Sequence, residues 1–256
     1  MRPDERMGPK FLVYHDVAAA AGGDEPRALE ALRRQLTQVV ELGYRFVAMS
    51  EFVAGRRLGP RDVVITVDEG ARSFITCILP VLREFAATAT VFVLTDLMGR
   101  RGPDVEFLSW DDVGALAAEG IEFGCQGVTR LPLDEVGSER MRWEVNRGAE
   151  TMAAHGLAPN VFAYPFGRFD GAAKLTVRKA GYRAAFSVMR GGNDRFEIRR
   201  RLFTGLEGPL ATRLVMSDRF FDLREAARAP VPRRFLKQEM PVPQDQWGPE
   251  SFGLEP

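Results

Sequence analysis

Five consecutive β-branched residues, Val63-Val64-Ile65-Thr66-Val67, run without a charge into Asp68-Glu69-Gly70. A continuous branched run predicts a strand buried on both faces, the form found in parallel sheets. The glycine lets the backbone turn where the strand stops. Two adjacent carboxylates therefore fall at the carboxyl end of a buried strand, where α/β proteins place their chemistry.

The rest of the chain repeats that grammar. Apolar runs at residues 11–14, 44–49, 88–94, 121–126, 161–164, 184–188 and 197–203 predict further strands. Between them the spacing turns helical. Residues 27–42 carry Leu29, Leu32, Leu36, Val39 and Val40 on one face, and Gly43 ends the run. Helices are also predicted over 74–85 with a kink at Pro80, over 138–155, 170–180 and 217–228, and briefly from Ser50. Ser109 caps a helix over 110–119, with Asp111 and Asp112 in its first turn. Residues 18–25 read as a small-residue loop. Strand and helix alternate about seven times, which predicts an α/β fold: a parallel sheet wrapped by helices and closed into a barrel. One domain over residues 1–229 accounts for the pattern. From Pro230 the chain is Pro-rich and aperiodic, so 230–256 is expected to be a tail. Its Phe235, Trp247 and Phe252 are candidate anchors to the domain or to a second copy in a homo-oligomer.

Composition narrows the partners. Lys+Arg and Asp+Glu are both 35, so neither nucleic acid nor an acidic membrane surface is expected. Arg199-Arg200-Arg201 is the one local basic run, read as a solvated or ion-paired strand end. Cys77 and Cys125 are the only cysteines, which argues against a disulfide framework and fits a reducing compartment. Residues 1–10 are charged and carry no apolar signal core, and no window of 18 apolar residues exists. The expected location is cytoplasmic.

In a parallel barrel the strand ends converge on one mouth. His15, Asp68, Glu69, Gln126, Arg130, Tyr164 and Pro165 each follow a predicted strand and are expected to meet there. If Gln126 faces the mouth, Cys125 faces the helices as inert core. Trp110 reads as core, and His155 ends a helix remote from the mouth.

These stretches resemble the polysaccharide deacetylases, the NodB-homology carbohydrate esterases. Leu12-Val13-Tyr14-His15-Asp16-Val17 resembles the family's opening motif, "lmYHdV". Gln35-Leu36 and Leu42-Gly43-Tyr44 fit its first helix. Ile65-Thr66-Val67-Asp68-Glu69-Gly70 matches "iTFDDG", and Leu108-Ser109-Trp110-Asp111 resembles "ylsW". The segment from Ile121 through Gly124-Cys125-Gln126-Gly127-Val128-Thr129-Arg130 lies on "hEiGsHtvtH", and Phe162-Ala163-Tyr164-Pro165-Phe166-Gly167 matches "faYPyG". The resemblance covers most of the chain and implies a distorted barrel with fewer strands than the eightfold form.

It also implies chemistry. In that family the first Asp is the general base; the second Asp and two His hold a divalent metal, usually zinc, which polarises an acetamide and activates water. Carried over, Asp68 falls on the base, Glu69 on the first ligand, and Gln126 and Arg130 on the two His. A neutral amide is a poor zinc ligand, and a guanidinium is none, since it stays protonated and only donates. No metal and no cofactor are expected. Arg130 is instead expected to pair with Glu69 or Asp68.

The expectation is a metal-independent relative acting on a small polar molecule by proton transfer or a lyase- or cyclase-type step, in secondary-metabolite tailoring. Asp68 would carry the step, with Glu69 and His15 assisting and Gln126, Arg130, Tyr164 and Pro165 contacting substrate. The alternatives are a catalytically inactive member that binds a ligand or protein partner, and a divergent metal-dependent N-deacetylase.

Overall fold

The computed structural model describes residues 8–226 apart from 104 and 193, so the predicted tail lies outside the described residues. In chain order, β1 (Lys10–Tyr14) leads through α1 (Val17–Ala20) to α2 (Glu25–Glu41). β2 (Arg45–Phe46), α3 (Met49–Val53) and the long β3 (Asp62–Glu69) follow. A π-helical turn, Phe74–Ile78, runs into α4 (Leu79–Glu84). Then come β4 (Thr90–Val93), α5 (Trp110–Ala118), β5 (Glu122–Cys125), α6 (Ser138–Ala154), β6 (Val161–Ala163), α7 (Gly171–Lys179) and β7 (Ala184–Ser187). The described chain ends with β8 (Ile198–Arg199), β9 (Arg201–Leu202), α8 (Pro209–Met216) and α9 (Phe220–Ala226).

The main strands lie in the order β8-β7-β6-β5-β4-β3-β1-β9, with β2 beside β3, and every pairing is parallel. The two ends of this sheet, β8 and β9, flank Arg200 in one run. Ile198 pairs with Phe186 of β7, whereas Arg201 pairs with Leu12 of β1. That short run joins both edges and gives a nearly closed barrel of eight parallel strands. The barrel expected with about seven strands has eight because residues 197–203, expected as one strand, supply both β8 and β9, while the run expected over 44–49 gives only β2 beside β3.

Side chains alternate through the barrel wall as the two-residue strand period requires. Along β3, Val63, Ile65 and Val67 pack outward among the helices, and Val64 packs inward with Phe11, Phe92, Val161, Ala163, Ala184 and Phe186. Asp68 and Thr66 share the inward phase with Val64. Gly124 of β5 is a glycine because a Cβ there would lie 2.5 Å from the Phe92 ring. Met49 and Val53 of α3 join the inner cluster from the amino ends of the strands.

Local departures from the predicted elements have local causes. The strand expected over 44–49 shrinks to two residues because Glu122 accepts the amides of Met49 and Ser50, both at 2.8 Å, and starts a helix there. The helix expected over 74–85 is one continuous helical stretch, in which the π-helical turn Phe74–Ile78 passes directly into α4 and Pro80, with no N–H to donate, follows the widened turn. The small-residue stretch after β1 holds α1, capped by Asp16. Helix α8 has no counterpart among the predicted elements: Leu210 and Leu214 face outward and blur its apolar stripe. Ser109 caps α5 in a reciprocal capping box with Asp112, as expected. Among the described residues no helix is long and apolar enough to cross a membrane.

Candidate functional site

At the carboxyl end of β3 the two carboxylates part. Asp68 follows the inward alternation of its strand. Glu69 takes φ 76 and Gly70 φ 71, so the backbone turns left-handed there and re-aims the second acid. Both side chains are buried, and a buried carboxylate is costly unless it is paired and hydrogen-bonded.

Each acid has its own guanidinium. Arg200, fully buried where the barrel closes, grips Asp68 bidentately: Nη1 to Oδ1 at 2.6 Å and Nη2 to Oδ2 at 2.7 Å. It also donates to Thr66 Oγ1 at 3.1 Å, and its guanidinium lies 5.2 Å from the centre of the Phe92 ring. Arg130, from the loop after β5, donates Nη2 to Glu69 Oε1 with both side chains at most 6% exposed. Its guanidinium lies 4.7 Å from the centre of the Phe166 ring, a favourable cation–π placement. The expected pairing of Arg130 with an acid is thus present, and Glu69 is its partner.

Gln126 ties the two pairs together. Its Oε1 accepts the Glu69 backbone N–H at 3.0 Å, and its Nε2 donates to Asp68 Oδ2 at 3.4 Å. The loop that carries Arg130 is pinned from behind by Glu144 of α6. This buried carboxylate accepts the backbone N–H groups of Val128 at 2.8 Å and Thr129 at 2.9 Å.

His15, one residue past β1, completes the cluster. Its Nε2 lies 3.9 Å from Asp68 Oδ2 and 4.0 Å from Glu69 Oε1, with the side chain 12% exposed. Burial holds the imidazole pKa below its ordinary value; Glu69 and Asp68 push it back up, and Arg130 and Arg200 add to the lowering. The mouth thus holds two acids, two fixed cations and one imidazole biased toward its neutral form.

Of the seven residues expected at the mouth, five meet there: His15, Asp68, Glu69, Gln126 and Arg130. Tyr164 does not reach the acids. It is in phase with Phe162 on the outer side of the wall, stacks on Phe169 with ring centres 4.4 Å apart, and donates its hydroxyl to Phe196 O at 2.9 Å. Burial raises its phenol pKa. Pro165 is buried and opens a short 3-10 turn, Pro165–Gly167, in which Phe166 takes φ 57. That turn presents the Phe166 ring to Arg130. Substrate contact by Tyr164 and Pro165 therefore gives way to packing roles. Cys125 is buried core as expected, its thiol pKa pushed up to about 11 by burial. Trp110 is half-buried and stacks on His155 with ring centres 3.9 Å apart.

Sequence reasoning missed Arg200. The Arg199-Arg200-Arg201 run, expected as a solvated or ion-paired strand end, is ion-paired at Arg200, but the partner in the mouth was not foreseen, although Arg200 occupies alternate positions with Ile198 and Leu202, the apolar phase of that run. An arginine in an apolar phase was the signal.

The zinc implied by the resemblance does not suit these residues. Both oxygens of Asp68 are held by Arg200, Glu69 faces Arg130, and the only ligating atom of Gln126 already accepts a backbone N–H. Among the described residues no three His, Cys, Asp or Glu side chains form a group suited to a metal ion.

The likeness to known proteins is broad. The family model of polysaccharide deacetylases matches residues 55–185, just over half of the 256. That span holds Asp68, Glu69, Gln126 and Arg130 and leaves out His15 and Arg200. No curated protein matches the chain. Among solved structures, the Streptococcus pyogenes deacetylase PplD, in complex with acetate, is 19% identical with a TM-score of 0.69; the match covers 82% of this chain and 98% of that one. IcaB from Ammonifex degensii is 23% identical with a TM-score of 0.70, over 84% of this chain and 97% of its own. A de-N-acetylase from Aggregatibacter actinomycetemcomitans is 16% identical with a TM-score of 0.64, over 82% and 99%. The order of motifs along the barrel and the span of the family match agree: the chain belongs to the polysaccharide deacetylase family.

Proposed function

We propose that this protein is a metal-independent member of its family, acting on a small polar substrate through proton transfer at the barrel mouth. The observation that carries this is the buried Arg130–Glu69 pair; by the motif resemblance both residues fall on positions that hold the family's metal, and a permanent cation in that pair supports a metal-free reading. A guanidinium neutralises Glu69 and offers hydrogen-bond donors, but it generates no nucleophilic water. What remains for chemistry is proton transfer. Asp68 is gripped by Arg200, and His15, the most exposed of the five mouth residues, is biased by burial toward its neutral form near both acids. A neutral imidazole beside an oriented carboxylate is a general base with its partner in place. A lyase- or cyclase-type step on an intracellular metabolite, as in secondary-metabolite tailoring, fits that equipment.

The test is elemental analysis of the purified protein alongside acetate release from N-acetylated sugars. The expected result is no stoichiometric zinc and no release, with or without added zinc. The paired change Gln126→His with Arg130→His should raise zinc affinity at least tenfold. Stoichiometric zinc lost together with activity on chelation would end this reading.

A second reading rests on one further observation. Asp68, Glu69, Gln126 and Arg130 are each no more than 5% exposed. A mouth so closed supports an inactive member that binds a ligand or partner. Under the first reading Asp68→Asn abolishes turnover; under the second it leaves binding intact.

A further inference from the structure

We propose that Glu144 is the positioning residue for the mouth's cation: it fixes residues 127–130 so that the Arg130 guanidinium reaches Glu69. The inference rests on the reading above, in which the Arg130–Glu69 pair replaces a metal.

Glu144 is 1% exposed on a helix that is otherwise heavily charged. Such a carboxylate persists only if its lone pairs are filled, and they are. Oε2 accepts the amides of Val128 and Thr129, two successive N–H groups converging on one oxygen. Oε1 accepts Thr129 Oγ1 at 2.5 Å and Arg140 Nη2 at 2.8 Å. Arg140 also donates to Thr129 Oγ1 at 3.1 Å, so side chains of helix and loop interlock.

The approach is close by construction. A Cβ on Gly127, which has φ +96, would stand 3.2 Å from Glu144 Oε2. A Cβ on Gly148, one turn further along α6, would stand 2.6 Å from Cys125 Sγ and 3.5 Å from the Gly127 carbonyl carbon. Two glycines let the helix press against the loop. Directly after the gripped amides, Arg130 adopts φ 63. Non-glycine residues hold that left-handed conformation only where surroundings over-determine it. Glu144 supplies the constraint on the upstream side, so the ion pair at the mouth depends on a carboxylate that never touches it.

The experiment follows the Arg130 guanidinium by nitrogen-15 NMR in the full chain. Its resonance is assigned by its loss in Arg130→Lys, and its proton exchange is compared across variants. Glu144→Gln and Glu144→Asp are the tests; the second keeps the charge, withdraws it by one methylene, and covers the case where the first does not fold. Val145→Ala, buried on the same helix, is the control for general destabilisation. Exchange is expected to be slow in the native chain, more than threefold faster in either Glu144 variant, and unchanged in Val145→Ala. Acceleration below threefold in a folded Glu144 variant, or equal acceleration in Val145→Ala, overturns the proposal. Fast exchange already in the native chain refutes the ion pair itself, and with it the inference.

Discussion

Replacing Arg130 by alanine isolates the central physical claim. The guanidinium and the Glu69 carboxylate are both almost fully withdrawn from water. Removing the cation leaves a buried negative charge facing a protein interior that no longer compensates it. Breaking one side of a buried pair costs about 3–5 kcal/mol, because the survivor keeps its desolvation penalty and loses its partner. Lost stacking over Phe166 adds roughly 0.5–2 kcal/mol. For a domain of this size each kcal/mol lowers the melting temperature by about 2–4 °C, so Arg130→Ala should melt roughly 7–28 °C below the parent chain.

The same argument predicts the rescue. Glu69→Gln with Arg130→Met removes both charges together and should recover most of the loss, since replacing a buried pair with neutral groups is often near neutral. The double-mutant cycle, read by calorimetry and chemical denaturation, should give a coupling of about 2 kcal/mol or more. A folded Arg130→Ala protein that melts within about 2 °C of the parent would refute the reasoning. It would mean that the pair contributes no more than an exposed one.

The burial-lowered pKa of His15 makes stability depend on pH. Its folded pKa lies below the ordinary value of 6.5, so the unfolded chain takes up the proton first; stability should fall as pH drops from about 6.5, and His15→Gln should flatten that slope in pH-dependent denaturation. Arg200→Met should cost about 3–5 kcal/mol by stranding Asp68, and a loss below about 1 kcal/mol would count against the bidentate grip. Gly124→Ala should cost about 1–3 kcal/mol, because the added methyl meets the Phe92 ring; an unchanged melting curve would show that the ring moves aside at no cost. Gln126→Leu should cost about 1–3 kcal/mol, since the Glu69 amide loses its acceptor in a buried site.

The strands could be read from the sequence because a parallel barrel advertises itself. Runs such as Val63-Val64-Ile65-Thr66-Val67 are apolar on both faces, and each ends in glycine or a polar cluster. What could not be read was closure. Ile198–Arg199 and Arg201–Leu202 are two residues each, too short to show a period, and their meaning comes from the strands they lie beside. The expected strand over 197–203 was right as an element, but nothing in it announced that it would join β7 to β1.

That closure governs how much of the mouth the sequence could reveal. Asp68, Glu69, Gln126 and Arg130 were legible because each lies at the end of a strand or in the loop that follows one, and strand ends converge. Arg200 grips Asp68 from 132 positions away, and only the joining of the two sheet edges brings it there. Tyr164 failed for a simpler reason. In β6 Val161 and Ala163 point inward, so the period of two sends Phe162 and Tyr164 into the helical layer. The same parity correctly sent Cys125 outward and Gln126 inward. Glu69 escapes parity through its left-handed backbone, which lets adjacent acids face different cations. Neighbouring carboxylates at 68 and 69 therefore need not repel: each faces a guanidinium delivered by a different strand end, and the amide of Gln126 bridges the two pairs. Charge in this mouth is balanced pair by pair, so a single substitution unbalances it where a matched double substitution does not.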